Sequence, residues 1–124
     1  MAMTIAPEAM VRYRRSAVAR EMALRQEAER RREAAWSIAR RAAHLLREEF
    51  GAKRVIAFGS LAHNAWFGSQ SDIDLAVEGI PAEAFWRAWC ALDRLDPAVD
   101  IVLIAIVAAS DSLRNEIVRQ GVAL

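Results

Sequence analysis

Apolar residues return every three or four positions between Ala35 and Phe50: Ile38, Ala42, Leu45 and Leu46, with Ala39 and Ala43 beside them. That spacing predicts a helix with one face able to pack on a sheet. The same unbroken chemistry, rich in Ala, Arg, Glu and Leu and free of Gly and Pro, extends back to residue 8. Pro7 suits a first helical turn, where its missing N–H is no loss, and Gly51 suits a C-terminal stop. The pattern leaves open whether residues 8–50 make one helix or two. Before Ala35 the apolar face is broken. Met10, Ala17, Leu24 and Ala28 share a side with Arg14, Glu21 and Arg31. This half is expected to project from the domain or to meet a partner chain.

After Gly51 the rhythm alternates. Arg54–Phe58 reads as a short strand, and a helix is expected to begin after Ser60 and end before Gly68. Ile73–Val77 reads as a second strand. Gly79-Ile80-Pro81 makes a turn, and Pro81 opens a helix through Leu95 with Phe85, Trp86, Trp89 and Leu92 on its apolar face. Asp96-Pro97 breaks that helix. Val99–Ile104 is a third strand. Ser110 or Asp111 caps a last helix carrying Leu113, Ile117 and Val118, ended by Gly121. The expected fold class is therefore α/β (α+β), a small mixed β-sheet flanked by helices, with a long N-terminal helical extension. Residues 1–34 are assigned to the extension and 35–124 to the domain.

The strands carry residues that a buried strand would not choose. Side chains alternate along a strand, so Asp72 and Asp74 share one face while Ile73, Leu75 and Val77 share the core face. Adjacent carboxylates repel unless a cation lies between them. A hard divalent ion removes that penalty, and magnesium takes one or two carboxylates together with phosphate oxygens. Gly59 and Ser60 supply the complementary feature. A glycine lets backbone approach a phosphate closely, the N-terminus of a following helix favours an anion, and the Ser60 hydroxyl can donate to a phosphate oxygen. Ser60 can equally be the cap of that helix. A phosphate at Gly59-Ser60 and a metal at Asp72 and Asp74 together describe one bound nucleoside triphosphate. Asp100 heads an apolar strand. If that strand neighbours the second, Asp100 joins the same site as general base or as a further metal ligand.

Composition narrows the alternatives. The 124 residues are 55% hydrophobic and 27% charged, and the net charge is +1, so no overall field draws the chain to nucleic acid or to a membrane. The charge is uneven: residues 1–50 carry 11 Arg and 7 Glu, residues 51–124 carry 6 Lys+Arg and 9 Asp+Glu. Arg30-Arg31-Arg32 reads as a solvated helix face rather than a nucleic-acid site. Cys90 is the single cysteine, which excludes an internal disulfide. No apolar run approaches the ~20 residues of a membrane span, and the first residues lack the basic and apolar regions of a secretion signal. A cytoplasmic location is expected. Trp66, Trp86 and Trp89 read as core or interface residues.

The series Phe58-Gly59-Ser60, Ser71-Asp72-Ile73-Asp74-Leu75-Ala76-Val77 and Val99-Asp100-Ile101-Val102, with the ending Leu113-Arg114, Glu116-Ile117 and Gly121-Val122, resembles the minimal nucleotidyltransferases of the DNA polymerase beta superfamily. The likeness spans roughly residues 35–124. It implies transfer of a nucleoside monophosphate, usually AMP from ATP, with Mg2+ as cofactor. It also implies an antitoxin of a toxin–antitoxin system, whose partner is a HEPN-type toxin that some such proteins adenylylate. By position, Gly59 and Ser60 would hold the triphosphate, Asp72 and Asp74 the metal, and Asp100 the base or second-metal role. His63-Asn64-Ala65 departs from the Arg-Gly-acid run usual in that family, which leaves an alternative reading: a catalytically weak or inactive protein of this fold that acts as a binding or oligomerising antitoxin module. A homo-oligomer through the N-terminal helix is a further expectation.

Overall fold

The computed structural model describes residues 6–63, 67–68 and 70–124. The Gly- and Pro-free stretch is one helix, α1 (Pro7–Phe50), with Pro7 in its first turn. Gly51 ends it at φ +72°, and the N–H groups of Gly51 and Ala52 donate to the carbonyls of Arg47 and Leu46. Burial on α1 begins at Ala35 and continues through Ile38, Ala39, Ala42, Ala43 and Leu46. Four of these six are alanines, so the helix backbone lies close to the sheet. Val11, Val18, Met22 and Leu24 on the earlier half are all about half exposed or more. These side chains are left uncovered by the domain, as either projection or a partner chain would require.

Four strands follow: β1 (Arg54–Phe58), β2 (Ile73–Glu78), β3 (Ile101–Ala105) and β4 (Val122–Ala123). Their order in the sheet is β3-β2-β1-β4. β1 is antiparallel to both β2 and β4, and β2 is parallel to β3, so the sheet is mixed. Helices α2 (Ala82–Leu92) and α3 (Asp111–Gln120) complete the fold. The sequence predicts three strands. The fourth has only two residues, pairing with Ile56 and Ala57, and a two-residue strand has no alternation to detect.

The two sheet faces are covered by different helices. Ile73, Leu75, Val77, Ile101 and Leu103 pack in the main core with the buried face of α1 and with Ala88 and Leu92 of α2. Ile56, Phe58 and Ala76 form a smaller cluster with Ile117, joined by Ile104 and Leu113. The face that carries the aspartates is therefore roofed by α3. Ser110 is the cap of that helix, accepting from the Leu113 N–H at 3.2 Å. α2 stops at Leu92, three residues short of the expected Leu95, and Asp96 then accepts from the Ala98 N–H at 2.8 Å in the turn that feeds β3. Trp89 Nε1 donates to the Ile101 carbonyl, while Trp86 is 68% exposed. Trp66 lies outside the described residues. His44, between core positions in sequence, is exposed.

Leu46 is fully buried and Leu24 is 61% exposed on the same helix. Leu46→Ala is expected to lower unfolding stability by ~2–5 kcal/mol. Leu24→Ala should change it by no more than ~0.5 kcal/mol. Urea denaturation of the two variants checks the pair, and equal losses would contradict the division of α1 into a packed and a projecting half.

Candidate nucleotide site

β1 delivers Gly59 and β2 delivers the aspartates. The antiparallel register sets Phe58 opposite Asp74, so the turn that leaves β1 lies against the start of β2. Gly59 has φ +71°, in the left-handed region that favours glycine. Its α-carbon also faces the Asp74 side chain. A Cβ at this position would overlap Asp74 Oδ2 and lie 3.2 Å from Asp74 Cγ. Both backbone conformation and space thus demand glycine here. The next residues form a single turn, in which the His63 N–H donates to the Gly59 carbonyl at 3.0 Å. The helix expected after Ser60 is not formed by residues 60–63, which are turn. Asn64, Ala65 and Trp66, also in that expected helix, lie outside the described residues.

Asp74 is half-buried, and Asp72, two residues nearer the strand mouth, is exposed. Burial pushes the Asp74 carboxyl above its ordinary value of 3.8, and the charges of Asp72 and Glu116 push it in the same direction. Glu116 belongs to α3, three residues from Leu113 and next to Ile117, both of which pack on this sheet face. The sequence singled out Glu116 only within the family-like ending. Helical spacing from Leu113 and Ile117 was the signal that could have placed it over the aspartates.

Asp100 sits immediately before β3 rather than in it. Its carbonyl accepts from the Ile73 N–H at 2.9 Å. The parallel register, Ile73 to Ile101 and Asp74 to Val102, sets Asp100 beside Asp72 at the same end of neighbouring strands. Asp100 is exposed. Among the described residues no group of three His, Cys, Asp or Glu side chains is gathered as a metal site. The close association is between Gly59 and Asp74; Asp72 and Asp100 join through backbone position. A divalent ion that completes its shell with phosphate oxygens needs only one or two carboxylates. The repelling pair Asp72 and Asp74 fits such an ion.

An apolar cavity of about 560 Å3 lies elsewhere, at the far end of β3, lined by Ile80, Phe85, Leu103, Val107 and Leu113 among others. The carboxylates do not open into it. Among the described residues no helix is long and apolar enough to cross a membrane.

The sequence matches the profile of the nucleotidyltransferase domain family over residues 39–124. Among curated proteins none matches the chain. Several solved structures do. A chain of a toxin–antitoxin complex crystallised with AMP-PNP aligns with a TM-score of 0.57 at 26% identity, covering 68% of this chain and 70% of that one. A chain from the complex of tri-AMPylated Shewanella oneidensis HEPN toxin with MNT antitoxin aligns at 0.52 and 25% identity, covering 72% and 70%. A structure described as a minimal nucleotidyltransferase aligns at 0.50 and 29% identity, covering 80% of this chain and 94% of that one. With the profile covering more than half of its length and Gly59 lying against Asp74 where β1 ends and β2 begins, the chain belongs to the nucleotidyltransferase domain family.

Proposed function

We propose that this protein is a magnesium-dependent adenylyltransferase that moves AMP from ATP to a hydroxyl of a HEPN-type toxin, and so acts as the antitoxin of a cytoplasmic pair. Residues 35–124 form the transferase domain and residues 1–34 its extension. The observation that carries the reading is the contact of Gly59 with Asp74, which puts a phosphate-type turn against a metal-type carboxylate. The neighbours crystallised with AMP-PNP and with an AMPylated HEPN toxin support it.

In this reading Gly59 and Ser60 hold the triphosphate, and Asp72 and Asp74 hold the metal. Bound there, magnesium would neutralise charge developing on the phosphates. The acceptor hydroxyl oxygen forms a new bond to the α-phosphorus, the bond to the bridging oxygen breaks, and pyrophosphate leaves. Asp100, next to Asp72, takes the hydroxyl proton, and its exposed position leaves it open to a protein substrate. The second metal role that the family likeness also allows for Asp100 is not needed for this balance.

Incubation with α-phosphate-labelled ATP, Mg2+ and the HEPN-type partner is expected to place label on the partner, and none without Mg2+. No label on the partner would defeat the transfer reading. The alternative, an antitoxin that neutralises by binding alone, is motivated by His63-Asn64 standing where the family usually has Arg-Gly. Full neutralisation by an Asp72→Asn, Asp74→Asn double variant would establish it.

A further inference from the structure

The three arginines at positions 30–32 do not behave alike. Arg30 and Arg31 are exposed and pair with Glu27 at 2.8 Å and 3.4 Å. Arg32 is half-buried, and its guanidinium donates to the Leu61 carbonyl at 3.1 Å, across 29 positions of sequence. The expectation that all three form a solvated face holds for two of them. Arg32 fails it because the helix turns this side chain toward the loop after β1.

Leu61 is the middle residue of the turn closed by the His63-to-Gly59 hydrogen bond. Its side chain is fully buried in the main core. Its carbonyl is therefore held from one side by packing and from the other by Arg32. Gly59, two residues earlier, is in contact with Asp74. A continuous path runs from the extension, through Arg32 and Leu61, to the Gly59-Ser60 turn and the aspartate. Arg32 also brings a formal positive charge to the loop. The family match begins at residue 39, so this link comes from outside the matched region.

We propose that Arg32 is a positioning residue for the nucleotide site: from the helical extension it fixes the Leu61 carbonyl and thereby the Gly59–His63 turn that receives the triphosphate. The inference rests on the nucleotide-binding reading above. It makes the extension part of the site rather than an appendage.

The test uses the full chain with Arg32→Ala, Arg32→Lys and, as a control of equal charge change, Arg30→Ala. Amide hydrogen exchange of the nucleotide-free protein reads the turn directly. Arg32→Ala is expected to speed exchange in residues 60–63 about tenfold, with the β2 and β3 amides unchanged. Binding of Mg2+–ATP, read by calorimetry, should weaken about tenfold, as loss of one charge-assisted hydrogen bond to a held loop implies. In labelled transfer, KM for ATP should rise by the same factor with kcat within about threefold. Arg32→Lys should recover part of each effect, and Arg30→Ala should match the wild type. Unchanged exchange in Arg32→Ala overturns the positioning role whatever the nucleotide does. Faster exchange with unaltered ATP affinity overturns its connection to the site. A wild type that binds no Mg2+–ATP removes the nucleotide reading itself, and the inference with it; the exchange data identify which of the two has failed.

Discussion

Asp74→Asn is expected to reduce nucleotidyl transfer by at least about 10^3-fold and, in metal-free protein, to raise the melting temperature. In the proposed function, Asp74 would hold an ion that contributes several kcal/mol of charge stabilisation in the transition state, and at about 1.4 kcal/mol per tenfold its loss gives the first effect. The second follows from the surroundings of Asp74. Burial, Asp72 and Glu116 all disfavour its charged form, so the folded state binds this proton more tightly than the unfolded chain does. Below pH 3.8 the group is protonated in both states and contributes nothing. As pH rises from 3.8 through the raised folded value, the folded state is increasingly penalised, and above that value the penalty is full. The stability gap between Asp74→Asn and wild type should open in that window and stay level at neutral pH. Mg2+ should raise the melting temperature of the wild type and leave the variant where it is. A variant that retains transfer, or that melts lower than the metal-free wild type, would contradict the role given to this carboxylate.

Gly59→Ala should damage both the fold and the transfer reaction. An alanine at φ +71° is strained by ~1–2 kcal/mol from its backbone alone. Its methyl would also fall on Asp74 Oδ2, with Cγ 3.2 Å and Cβ 3.4 Å away, so a rotation of the carboxyl does not relieve the whole contact. A total loss of ~2–4 kcal/mol is expected, together with at least ~100-fold slower transfer, since a 1 Å displacement at a reacting site has that effect. The two contributions separate in a double-mutant cycle. In an Asp74→Gly background the steric part disappears and the backbone part remains, so Gly59→Ala should lose about half its effect on stability. An identical loss in both backgrounds would show that the contact with Asp74 is not what requires the glycine.

The sequence disclosed the parts of this site that are local. Asp72 and Asp74 stand out because two acids at i and i+2 interrupt an otherwise apolar strand. Gly59 stands out because it ends one. The helical stretch of α1 is legible from its start and stop signals, Pro7 and Gly51, and from the apolar stripe that begins at Ala35, but not that it forms one unbroken helix. What did not show is relational. Arg32 looks like its neighbours until the fold brings Leu61 to it, and Glu116 looks like any solvated helix acid until α3 lies over β2. The apolar run places Asp100 at the head of β3, yet it stands one residue before the strand, because Pro97 and the Asp96 turn delay it. The alternating rhythm predicts a helix after Ser60, yet residues 60–63 make only a turn. β4 was invisible because its two residues gain their identity from Ile56 and Ala57 across the sheet.

The length of α1 governs how the protein moves through solution. At 1.5 Å per residue, the stretch from Pro7 to Ala34 reaches about 42 Å beyond the part that packs on the sheet. A compact chain of this size has a radius of gyration of about 14 Å. A monomer bearing such a spar drags far more water than a sphere of 13.8 kDa, and on a gel-filtration column it would emerge at the volume of a larger globule. Elution volume therefore cannot count copies of this chain. Sedimentation equilibrium or light scattering, which weigh the particle irrespective of its outline, can.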